Sequence, residues 1–160
     1  MEDHAMAQID ELLKMNEYNI YLNTNISSER LHELAKNLSE ENIDLPNYFS
    51  LNKFANKFCW NNIVLIIKEM EYPQKLRCLS YLFELLKDIN WPVFHEAVSV
   101  LVSFNKKDII TYMEKCLHQA YIEEDGMWIS GIYMVAQDMD IQPSDFKDDK
   151  TFGLFEYGDF

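Results

Sequence analysis

A chain of 160 residues and 19.0 kDa has room for one domain. Its ten Phe, nine Tyr and three Trp exclude a wholly disordered polymer, and four Gly and four Pro are too few for the turns of an all-β sandwich or barrel. A formal charge of −13 argues against nucleic acid, whose phosphates need a basic surface, and suits a basic protein partner or solubility alone.

Residues 5–16 place Met6, Ile9, Leu12 and Leu13 at helical spacing. After a polar stretch, Ser27 or Ser28 is a good N-cap for a second helix, whose apolar stripe is Leu31, Leu34, Ala35 and Leu38. Asp44-Leu45-Pro46-Asn47 reads as a break. Residues 50–58 then put Leu51, Phe54, Ala55 and Phe58 on one face of a third segment. Asn61 or Asn62 can cap a fourth, with Ile63, Val64, Ile66, Ile67 and Met70; the third and fourth segments can also be read as one helix.

Pro73 stands near the start of a fifth helix over residues 74–89, apolar on most sides. Asn90-Trp91-Pro92 is a corner between helices. Asn90 is placed to accept from free N–H groups of the next helix, Trp91 to wedge, and Pro92 to fix the first turn. Residues 98–103 alternate like a strand, but Pro92, the His95/Ser99/Ser103 spacing and the lack of a hairpin partner favour a sixth helix over residues 92–104. Asn105 and Asp108 resemble a capping box for a seventh, with Ile109, Ile110, Met113, Cys116, Leu117 and Ala120 on its stripe. Asp125 caps a last helix to about Met139, and Pro143 ends the helical region.

The expected fold is therefore all-α, with seven or eight short antiparallel helices stacked as a HEAT-like α-solenoid. Residues 1–142 read as a single helical domain, and residues 143–160 as an acidic, aromatic tail.

The stretch Asp88-Ile89-Asn90-Trp91-Pro92-Val93 resembles a bacterial domain-of-unknown-function family marked by a D-x-N-W-P-V corner. The resemblance extends over about residues 57–139, where Asp125-Gly126-Met127-Trp128 takes the place of the family's acidic cap and Trp. It implies a HEAT-like helical domain, with residues 1–56 as an added cap, and implies no catalytic residue.

The chemical candidates are few. His32-Glu33 and His95-Glu96 open like H-E-x-x-H, but Lys36 and Ser99 stand where the second imidazole is needed. Cys116 and His118 point away from each other on a helix, so neither serves as a local nucleophile pair. The widely spaced Cys59, Cys78 and Cys116 make neither a disulfide framework nor a zinc knuckle, and point to a reducing compartment. No apolar run is long enough for a membrane span, and the acidic opening Met1-Glu2-Asp3-His4 is unlike a secretory signal, so the cytoplasm is the expected location. The scattered Asp residues after Asp138 lack the order of a calcium loop, and the glycines form no phosphate loop. No catalytic residue, metal or cofactor is expected.

Charge is uneven. Residues 122–160 hold ten acidic and two basic side chains, together with Phe146, Phe152, Phe155, Tyr157 and Phe160. Glu123, Glu124, Asp125, Asp138 and Asp140 bracket the last long helix and are the expected partner-binding residues. The sequence thus points to a non-catalytic protein-binding module, of the kind seen in bacterial immunity proteins that mask a basic partner. The alternative is an enzyme or small-ligand binder whose polar groups converge only in the fold.

Overall fold

The computed structural model of the chain describes residues 2–160, and side chains from residue 6 onward. The described residues are all-α, with nine α-helices, several 3-10 turns and no strand. The chain divides into two compact units, Met1–Cys78 and Leu79–Phe160.

The first unit holds α1 (Glu2–Lys14), α2 (Ser28–Leu38), α3 (Leu45–Phe49), α4 (Asn61–Glu69) and α5 (Tyr72–Lys75). Its α2 starts as the sequence dictates: Ser27 is the N-cap, and its hydroxyl accepts from the Arg30 N–H. Leu31, Leu34, Ala35 and Leu38 are all buried, and this stripe packs on α4, whose Ile63, Ile66 and Ile67 are fully buried. Neither Asn61 nor Asn62 caps α4; Trp60 holds that position. Asn62 instead turns inward, 1% exposed, and its amide donates to the carbonyls of Ile20 (2.8 Å) and Asn23 (2.7 Å). That ties the polar loop before α2 to the core without leaving its carbonyls unpaired. Arg77 plays a like part after α2, donating to the carbonyls of Ser39, Glu40 and Ile43.

Two expectations fail here. The Leu45-Pro46 break is the first turn of α3, because proline suits a first helical turn. The third segment is only a 3-10 turn, Leu51–Lys53, followed by irregular chain. The Ala55 N–H donates to the Tyr21 carbonyl instead of to its own turn, and Phe58 is left 57% exposed.

The fifth expected helix is broken into α5, a 3-10 turn at Leu76–Cys78, and α6 (Leu79–Glu84). The second unit continues with α7 (Phe94–Val102), α8 (Lys106–Ile122) and α9 (Gly126–Asp138). The 98–103 stretch is helical as far as Val102, with Ser103 as C-cap: Ala97, Val98, Val100 and Leu101 are buried, and Ser99 faces out. The Asn90-Trp91-Pro92 corner differs from expectation. Asn90 is exposed and donates its backbone N–H to Asp88 Oδ1, Pro92 precedes α7 by two residues, and Trp91 is half-buried. Val93 and Phe94, both fully buried, fill the corner instead. Asn105 stands at the N-cap of α8, its amide donating to Asp108 Oδ2 (3.3 Å).

Helical structure does not stop at Pro143. That residue opens a 3-10 turn to Asp145, and a nine-residue 3-10 run follows, Asp149–Tyr157. Such a run is long for this geometry, and it is held from outside. The Glu114 carboxylate on α8 accepts from the N–H groups of Lys147 (3.0 Å) and Asp148 (3.1 Å) and from the Thr151 hydroxyl (2.9 Å). Since Thr151 donates its one proton to Glu114, it accepts from His118 Nε2 at 3.1 Å. Burial pushes the Glu114 carboxyl up, the donations from Asp148, Lys147 and Thr151 push it down, and the net direction is down. A depressed carboxyl stabilises above its unfolded pKa and loses that contribution as pH falls through the folded one. Glu114→Gln at neutral pH, or acidification below about pH 4, is therefore expected to lower the protection of the Lys147 and Asp148 amides, relative to intrinsic exchange at the same pH, before the rest of the unit opens. Unchanged protection in both would remove Glu114 from the anchoring of this segment.

Candidate functional site

Helix α9 follows from its sequence. The Asp125 carboxylate accepts from the Trp128 N–H (3.0 Å), capping the helix, and Trp128, Ile129, Ile132, Val135 and Ala136 face the core. Both α8 and α9 end in a left-handed residue. Glu124 has φ 55° and Asp140 φ 53°. In each case the next N–H reaches back five residues in the Schellman manner, Asp125 to the Ala120 carbonyl and Ile141 to that of Ala136.

The five expected partner-binding residues therefore differ in what they do. Asp125 serves the fold as a cap. Glu123 accepts from Gln119 Nε2 (3.0 Å) and is exposed. Glu124 is exposed at the corner between α8 and α9. Asp138 and Asp140 are exposed at the far end of α9, where Asp140 Oδ1 accepts from Gln142 Nε2 (2.8 Å) and its carbonyl accepts from Lys106 Nζ (3.1 Å). Lys106 also pairs with Asp145 Oδ2 (3.3 Å). The two acidic groups are not one cluster. They lie at opposite ends of a 13-residue helix, about 20 Å at 1.5 Å per residue.

Between them runs a groove that the sequence did not reveal. A cavity of about 330 Å³ opens along the face of α9, lined by Ile89, Phe94, Met127, Tyr133, Met134 and Phe160. Met127, Ser130, Gly131, Met134 and Gln137 line it from α9 itself. Gly131 lets α9 lie close on the Leu86 turn: a Cβ there would come within 2.1 Å of the Leu86 carbonyl oxygen.

The last residues form one wall. The Asp159 N–H donates to the Gly126 carbonyl (3.1 Å), and the Ser130 hydroxyl donates to the Asp159 carbonyl (2.6 Å). The Asp159 carboxylate lies against Gly126, where an added Cβ would meet its Oδ1 at 2.6 Å. Phe160 is 81% exposed and packs edge-to-face on Tyr133, with centroids 5.2 Å apart. The tail's aromatics thus divide. Phe146 and Phe155 are buried and Phe152 half-buried, whereas Tyr157 and Phe160 face outward.

Exposed apolar side chains gather around the same corner. Tyr121, Ile122, Met127, Tyr157 and Phe160 are all exposed, and the Tyr121 and Tyr157 rings meet at 4.9 Å. Glu123, Glu124, Glu156 and Asp159 are interspersed among them in the chain.

The remaining chemical candidates do not converge. His32 Nδ1 faces Glu69 Oε2 at 3.2 Å, and His95 packs on the Phe94 ring. Cys116 is buried, and burial pushes its thiol up to about 11. Among the described residues no group of three His, Cys, Asp or Glu side chains is arranged to hold a metal ion, and no helix is long and apolar enough to cross a membrane. No family model, curated protein or solved structure matches this chain.

Proposed function

We propose that the protein is a non-catalytic helical module that binds a basic protein partner through the acidic and apolar surface of its second unit. One observation carries this reading: exposed Tyr121, Ile122 and Tyr157 line one hollow with Glu124 and Asp159, and Asp159 also lines the groove that holds exposed Met127 and Phe160. Acid steers a cationic partner in, and desolvated rings hold it. The groove along α9 has Asp159 as its one lining carboxylate, which supports a docking surface over a catalytic pocket of converging titratable groups.

The HEAT-like arrangement and the resemblance to the D-x-N-W-P-V family belong to the same proposal. α8 and α9, joined by Glu123, Glu124 and Asp125 and packed on each other, are the kind of helix pair from which such repeats are built. A cytoplasmic immunity-type protein of bacteria, masking a cationic toxin, is the biological role this surface suits.

The test takes the partner captured from source cells and follows its association by stopped flow. Asp138→Asn with Asp140→Asn is expected to leave the fold intact, since Asn tolerates the left-handed conformation at residue 140. It is expected to slow association severalfold at low salt, with the difference vanishing at high salt. A captured partner that is acidic, or rates that do not change at low salt, would remove these charges from the mechanism.

A further inference from the structure

We propose that the groove along α9 is the docking site for one helix of that partner, an amphipathic segment whose apolar stripe lies between two cationic side chains. The assignment deepens the reading above and rests on it.

The first argument is shape. The groove follows the helix axis, and its α9 wall repeats at 127, 130–131, 134 and 137, the spacing of one helix face. Gly131 lies in the middle of this wall without a side chain, and Ile89, Phe94 and Tyr133 make the sides apolar. Met127 and Met134 are unbranched and polarizable, and such side chains adapt to an incoming apolar stripe. A helix laid in an apolar groove is an established mode of peptide recognition.

The second argument is charge. At the N-terminal end of α9 the Asp159 carboxylate lines the groove beside Gly126. At the other end stands exposed Asp138, eleven residues after Met127 and so on the same face. From Gly126 to Asp138 is about 18 Å along the helix. A ligand helix with cations at i and i+11 spans about 16 Å, with apolar residues at i+4 and i+7 on the same side. One carboxylate thus lines the groove at one end and a second stands just beyond its last α9 lining residue, Gln137, at the other, so the ligand can lie in either direction.

Three helix-forming 16-residue peptides test this by isothermal titration against the full chain. The first carries Lys at i and i+11 with Leu at i+4 and i+7. The second has the same composition with the Leu residues moved to the opposite face. The third replaces both Lys with Gln. The first is expected to bind at least tenfold more tightly than either of the others. Met134→Glu is expected to weaken it at least tenfold as well. That substitution adds negative charge, so a binding loss there reports the apolar contact and not the field. Met127→Glu, at an exposed position, gives the same reading if Met134→Glu melts early by circular dichroism.

Equal, salt-sensitive binding of the first two peptides would overturn the groove and leave the acidic-surface reading standing. Failure of all three to bind at low salt would sink both. If the Gln peptide bound as well as the Lys peptide, the groove would be an apolar site with no charge selection, which also overturns the proposal.

Discussion

Gly131→Ala is expected to destabilise the second unit by about 2–3 kcal/mol. In an ordinary mid-helix position the same change would stabilise by about 1 kcal/mol, because glycine is the poorer helix former. Here the sign inverts. The new methyl would sit 2.1 Å from the Leu86 carbonyl oxygen and 3.0 Å from its Cβ. The nearest atom belongs to backbone, so no rotamer change can clear it. Either α9 moves off the Leu85–Leu86 turn, or the turn moves. Leu85 and Leu86 are fully buried, so both routes open packed surface. Urea denaturation of the two proteins measures the difference, and an unchanged or raised midpoint would show that this approach is looser than described.

Trp128→Ala should cost more, about 3–5 kcal/mol. The indole is 7% exposed, and its Nε1–H donates to the Phe83 carbonyl at 2.9 Å. Lys87 Nζ lies over the ring, 4.5 Å from its centroid. Truncation therefore leaves a cavity and takes the partner from a buried carbonyl. Trp128→Phe separates the two losses, since it keeps most of the volume and removes the donor. It is expected to cost about 1–2 kcal/mol. If Phe proved as damaging as Ala, the hydrogen bond and not the packing would be the larger contribution.

The helices that the sequence made legible are those whose stripe alone decides burial. In α2, α8 and α9 most of the residues at helical spacing are the buried ones, with Ile110 and Met139 half-buried, and Ser27 and Asp125 cap as their types suggest. Residues 50–58 show the opposite. Leu51, Phe54, Ala55 and Phe58 have the same spacing, yet the Ala55 N–H is taken by Tyr21, far away in sequence. A non-local hydrogen bond outweighed local periodicity, and periodicity carries no record of it. The fifth segment is apolar on most sides, so its spacing does not mark the 3-10 turn at Leu76–Cys78 that breaks it. Asn62 was legible as a capping type but not as a buried strap, because its two acceptors lie about forty residues away.

For the candidate site, the acidic ends of α9 were plain in the charge pattern. The groove between them was not. Met127 and Met134 lie off the inward stripe of the last helix, with nothing local to mark a groove, and Gly131 reads only as a weak helix position. Its purpose appears when Leu86 is placed beside it. The wall formed by Asp159 and Phe160 depends on the chain returning to the start of α9, which no local spacing encodes.

The three cysteines have a consequence outside binding altogether. Cys59, Cys78 and Cys116 are buried, and burial pushes the Cys78 thiol up to about 12. Alkylating reagents attack thiolates that they can reach, so the folded chain is nearly inert to them. Two of the thiols belong to the first unit and one to the second. The sequence thus carries its own chemical clock: the order in which the sulfurs become alkylated tells which unit opens first, with no residue changed.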